Sequence, residues 1–167
     1  MIKKILIGLL IALVVIQFIR PERNLSGDTK NDISTKYPMP DSVKAIVTKA
    51  CADCHSNKTA YPWYASIQPL SFWLADHVNE GKSEMNFNEF ASYRIAKQNH
   101  KLEEVIEQVK EGEMPLKSYT LIHKEADLTE AERVILTKWC QSIMDTLKAT
   151  YPADSLKLKK KKPETAK

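Results

Sequence analysis

The sequence has little glycine, four residues in 167. With hydrophobic content at 43% and charged content at 28%, that scarcity excludes fibrous and low-complexity chains and suits one compact helical domain with short appendages. No run of alternating β-branched residues marks a half-buried strand, and there is no internal repeat. Neither sign of charge is in large excess, since 25 basic and 21 acidic side chains leave a formal net charge of +4. Much of the surplus is Lys157, Lys159, Lys160, Lys161 and Lys162. The body of the chain is therefore close to neutral, and nothing in it argues for nucleic acid. The lysine run reads as a solvated, disordered tail over residues 153–167. Attraction to an anionic membrane surface is its alternative reading.

Charge is also missing near the N-terminus. Lys3 and Lys4 precede the uncharged residues 5–19, ILIGLLIALVVIQFI, which are closed by Arg20, Pro21 and Arg23. A positive start followed by an apolar core is the pattern of an export signal. As a helix this run covers about 22 Å, somewhat short of a bilayer core. Met1 and Ile2 extend it, and Lys3, Lys4 and Arg20 are long enough to snorkel. No small-x-small cleavage site follows, and no lipoprotein-type cysteine. The expectation is an uncleaved transmembrane signal-anchor over residues 1–23, crossing the cytoplasmic membrane once with the domain on the periplasmic side. The flanking charges nearly balance, so this orientation rests on the usual order of a signal-anchor. Residues 24–38 are polar and read as a linker, and residues 39–152 form the domain.

Four amphipathic stretches predict an all-α domain. Val43, Ile46, Val47, Ala50, Cys51 and Cys54 recur at helical spacing behind Pro40, Asp41 and Ser42. A second helix is expected over residues 70–79, with Gly81 as its stop. A third begins near Asn88 and ends before Gly112, with Leu102, Val105, Ile106 and Val109 as its stripe. The fourth opens on Thr129 and Glu132, a capping-box pair. Ile135, Leu136, Trp139, Cys140, Ile143, Met144 and Leu147 line one face of it, and Pro152 marks the exit.

Residues 51–55 read C-x-x-C-H, the attachment signature of c-type haem. Two thiols on one helical turn can each add to a haem vinyl group, and the adjacent imidazole of His55 is carried under the iron. A zinc site or a thiol redox pair competes for the same residues. Only one C-x-x-C is present, however, with Cys140 and scattered histidines to complete a metal site, and a redox pair lacks its βαβ setting. Candidates for a second iron ligand are Met114, His77, His100, His123 and the other methionines. Met114 stands out because Pro115 disfavours helical geometry there and holds it extended in a loop. The plain alternative is a hydrophobic plug. His77 and His123 read as surface or haem-edge residues, and Trp63, Tyr64 and Trp73 as core aromatics packing on the porphyrin. Cys140, on an apolar face, reads as a buried free thiol.

Beyond that motif, the chain resembles the small bacterial haem-binding-domain family of monohaem c-type cytochromes. The resemblance covers about residues 40–139. It is carried by Tyr61-Pro62-Trp63-Tyr64, Pro69-Leu70-Ser71-Phe72-Trp73-Leu74 and His77-Val78-Asn79-Glu80-Gly81. Asn86-Phe87-Asn88-Glu89-Phe90, Met114-Pro115 and Leu128-Thr129-Glu130-Ala131-Glu132-Arg133 continue it, with Trp139 at the end. Phe90 departs from the family, where a tryptophan is more usual. The resemblance implies a cytochrome c-like helical fold with terminal helices crossing around one covalent haem c, and His55 and Met114 as axial ligands. The expected function is a membrane-anchored electron carrier, not an enzyme, serving membrane-associated redox partner proteins. A haem-based sensor or peroxidase-like protein is the first alternative, and a zinc or thiol structural module the second.

Overall fold

Residues 1–158, the part of the chain that the computed structural model describes, contain seven α-helices. They are α1 Ile2–Ile16, α2 Asp41–Ala50, α3 Ala52–His55, α4 Leu70–Glu84, α5 Ile95–Glu111, α6 Lys117–Thr120 and α7 Glu130–Thr150. Short 3-10 turns join them, and no strand occurs among the described residues. The all-helical expectation therefore holds. Lys159, Lys160, Lys161 and Lys162, and with them most of the expected disordered tail, lie outside the described residues.

The core forms where α5 and α7 pack together and α2 lies against α7. Leu102 and Val109 meet Leu136, Cys140, Ile143 and Leu147, with Val43, Ile46 and Val47 completing the cluster. Burying a side chain such as Leu136 contributes about 1.5–3 kcal/mol. Local signals set the helix ends. Thr129 accepts the Glu132 backbone N–H at 3.3 Å while the Thr129 N–H donates to the Glu132 carboxylate at 2.9 Å. Lys49 of α2 stands 2.7 Å from the same carboxylate. Gly112, at φ 74°, ends α5 in the left-handed conformation that glycine adopts without strain. Arg133 of α7 donates to the carbonyl of Val109 at 2.7 Å, satisfying an open group in the last turn of α5.

Three helix boundaries depart from the sequence reading, the first being that of α2, which stops at Ala50 short of Cys51 and Cys54. α4 runs past Gly81 to Glu84, and α5 starts at Ile95 rather than near Asn88. Residues 86–93 instead make a polar loop with a 3-10 turn, Phe90–Ser92, whose Phe90 is fully buried.

The N-terminal expectation is corrected. Among the described residues no helix is long and apolar enough to cross a membrane. α1 has 15 residues, against about 20 for a span. It stops because the next residues bind the domain. Gln17 accepts the Gln68 N–H at 3.0 Å, the Gln68 amide donates to the Ile19 carbonyl at 2.7 Å, and Arg23 reaches the Ser66 hydroxyl at 3.0 Å. The transmembrane signal-anchor, and the single-pass membrane location that depended on it, are not supported. The polar residues that follow lie along the domain. Ile33 is fully buried, Phe87 accepts the Ile33 N–H at 2.8 Å, and the Trp139 indole donates to the Pro38 carbonyl at 3.0 Å.

Candidate functional site

α2 gives way at Cys51, where φ of −124° breaks the helix. The chain restarts as α3, with the N–H groups of Cys54 and His55 both donating to the Cys51 carbonyl at 3.2 and 2.9 Å. Both thiols thus sit on one tight turn. Cys51 packs against the main core. Cys54 packs against a second, smaller cluster built from Tyr64, Ala65, Leu74 and Val78. α4 lies close against this turn at Gly81, where an added Cβ would stand 2.8 Å from the Cys54 carbonyl oxygen. That approach explains a glycine inside a helix.

His55 is held at both ends. Its carbonyl accepts the Phe87 N–H at 2.8 Å, and its Nδ1 is 2.9 Å from the Met85 carbonyl oxygen. Only a protonated Nδ1 can serve that acceptor, so Nε2 carries the lone pair of the neutral ring. Burial lowers the His55 pKa below its ordinary value, outweighing the raising effect of the Met85 carbonyl. A neutral imidazole with one nitrogen committed to a backbone carbonyl is the usual arrangement of a metal-ligating histidine. Burial also pushes the thiols up, Cys51 to about 12 and Cys54 to about 11, with Cys54 and Asp53 respectively adding to it.

Two adjoining cavities open onto this turn. One, of about 360 Å³, is lined by Cys51, His55, Met85, Val105, Val109 and Met114 among others. The other, of about 240 Å³, is lined by Cys54, Asp53, His77, Leu116 and Tyr119, and shares Cys51, His55, Glu84, Met114 and Pro115 with the first. Together they fall within the size range of cofactor sites. Cys51, Cys54, His55 and Met114 are thereby brought around one space. Met114 reaches it just beyond the Gly112 cap, with its N–H on the Gln108 carbonyl at 3.2 Å and a cis peptide bond to Pro115. Lys101 stands on the wall between Glu84 at 2.8 Å and Glu104 at 2.6 Å. Burial alone would lower its pKa, but these two carboxylates raise it and hold the ammonium charged.

The other candidates separate. His77 lines the second cavity, donating from Nδ1 to the Trp73 carbonyl at 2.8 Å. His100 pairs with Glu104 at 3.1 Å, and His123 lies 2.8 Å from the Tyr64 hydroxyl. Tyr64 is buried, but Trp63 is 80% and Trp73 41% exposed, so neither indole is a core residue. Cys140 is free and buried, its thiol pushed up to about 12 by burial and then by Cys51. Among the described residues no group of three or more His, Cys, Asp or Glu side chains is placed to hold a metal ion, which removes support from the zinc reading.

Sequence reasoning missed the polar clasp behind the site. Asn57, just beyond His55, takes the Asn86 amide on its own side-chain oxygen at 2.7 Å and donates to Glu89 at 2.7 Å and to the Asp28 carbonyl at 2.8 Å. Its backbone N–H donates to Asn88 at 2.8 Å. The asparagines at 86 and 88 were visible, and Asn86-Phe87-Asn88-Glu89-Phe90 carries part of the family resemblance, but neither holds pairing information.

The donor set fits haem. Two thiols on one turn, an imidazole with its free lone pair at Nε2 and a thioether border the same apolar space. A family model described as a haem-binding domain matches residues 11–142, from within α1 into α7. No curated protein and no solved structure matches the chain.

Proposed function

The chain belongs to the haem-binding-domain family, and from that premise we propose that it is a monohaem c-type cytochrome exchanging single electrons with redox partner proteins. The observation that carries this reading is the shared cavity, where the His55 ring, oriented by Met85, and Met114 stand beside both cysteines. When bound, haem supplies one-electron iron chemistry. Cys51 and Cys54 would hold it through thioether bonds to its vinyl groups. His55 would bind the iron through Nε2, its ring kept at a fixed angle by the bond to Met85. Met114 would offer its thioether to the iron, a donor that favours the ferrous state and a raised potential. Val105, Val109 and Leu128 on the cavity wall exclude water. Binding by both His55 and Met114 would leave substrate no open iron site, which favours an electron carrier over a sensor or a peroxidase.

The test uses full-length protein produced with a c-type maturation system. Haem stain should stay on the wild-type band after boiling with reductant and be absent from a Cys51→Ala, Cys54→Ala variant. Met114→Ala should keep its haem but bind CO in the ferrous state at neutral pH, with a lowered potential. Loss of haem from the boiled wild-type band would end the covalent reading. A Met114→Ala variant with unchanged spectrum and potential would end the ligand assignment.

A further inference from the structure

Met114 lies in a short connection between α5 and α6, and a loop of this kind needs fixing if its thioether is to stay on a metal. The structure supplies a contact suited to that task. The Tyr119 hydroxyl, in α6, donates to Asp53 Oδ2 at 2.7 Å. Asp53 lies between the two cysteines. Its other carboxylate oxygen accepts the Ala60 N–H at 2.9 Å, and its carbonyl accepts the Thr59 hydroxyl at 2.6 Å. The acceptor is therefore itself immobilised.

The ring of Tyr119 is gripped as well. It stacks on His123 at 4.4 Å and 17°, and His123 is bonded to the hydroxyl of buried Tyr64 at 2.8 Å. Asp53, Tyr119 and Met114 border the same cavity. We infer that Tyr119 is a positioning residue, whose phenol, clamped to Asp53, holds the Met114 loop against the turn carrying Cys51, Cys54 and His55. Burial, and after it the bond to Asp53, raises the Tyr119 pKa, so the donor keeps its proton through the physiological range. A bond to a charged acceptor is among the stronger kinds and is directional. Removing it should free the loop without touching any iron ligand.

This inference rests on the proposed ligation by Met114, and the experiment separates the two. Holoprotein of full length is compared as wild type, Tyr119→Phe, Asp53→Asn, Met114→Ala and Ile143→Val. The phenylalanine keeps the stacked ring and removes only the hydroxyl. Tyr119→Phe should retain covalent haem, weaken the ferric absorption that reports thioether ligation, and speed ferrous CO binding about tenfold, the equivalent of one charged hydrogen bond. Asp53→Asn should change in the same direction. Wild-type spectrum and CO rate in Tyr119→Phe, beside a CO-reactive Met114→Ala, would overturn the clamp alone. An inert Met114→Ala would overturn the ligand assignment and the clamp with it. An equal gain in Ile143→Val, which loosens the main core at a residue lining neither cavity, would assign the effect to general destabilisation and also overturn the clamp.

Discussion

Gly81 illustrates how a residue's role depends on what stands opposite it. In the sequence it reads as a helix stop. In the fold it lies inside α4, where its missing side chain admits the backbone of Cys54. Gly81→Ala should therefore destabilise the chain despite alanine's better helix propensity, by about 1–3 kcal/mol. The denaturation midpoint of the folded chain checks this, and an unchanged midpoint would mean that α3 and α4 part freely. Cys51, Cys54, His55 and Met114, which the structure gathers around one space, could be singled out from their immediate neighbours, the C-x-x-C-H spacing and Pro115. The Met85 carbonyl that orients His55 could not, because a backbone acceptor can be any residue type.

Elements were legible where their ends are local. The capping box at Thr129 and the end of α5 at Gly112 were both readable, because cap chemistry spans only a few residues. The start of α5 was not, since Asn86 and Asn88 are committed to the distant Asn57 and Asp32 rather than to a helix. The Glu132 carboxylate ties α7 to α2, and Lys49 first and then Thr129 hold its pKa below the ordinary glutamate value of 4.5. A lowered folded-state pKa makes this contribution complete above that value and lost as the pH falls through the folded one. Glu132→Gln should accordingly be less stable than wild type at pH 7, with the gap constant down to about pH 4.5 and closing below it. Denaturation midpoints across pH 3–7 measure this, and a gap independent of pH would show that the charge contributes nothing.

At the scale of the molecule, two apolar clusters are joined through the turn at residues 51–55, with Cys51 on one and Cys54 on the other. The sequence announces helices and a motif but not this division, because clusters are made by contacts between remote residues. Polar composition likewise concealed Ile33, fully buried within a stretch that reads as a linker, and apolar composition overstated the reach of α1. Cys140 sits in the larger cluster at 1% exposure. Its thiol should resist alkylation at pH 8 in the folded chain and react fully after denaturation. Rapid labelling of the native protein would show that α7 opens readily.

Cys51 packs on the cluster that holds Cys140 of α7, the last long helix among the described residues. One side of the thiol is therefore backed by a part of the protein synthesised well after it, while the other faces the two cavities. The pocket is thus a product of the finished fold: the motif is made early, and the surface behind it exists only once α7 has docked.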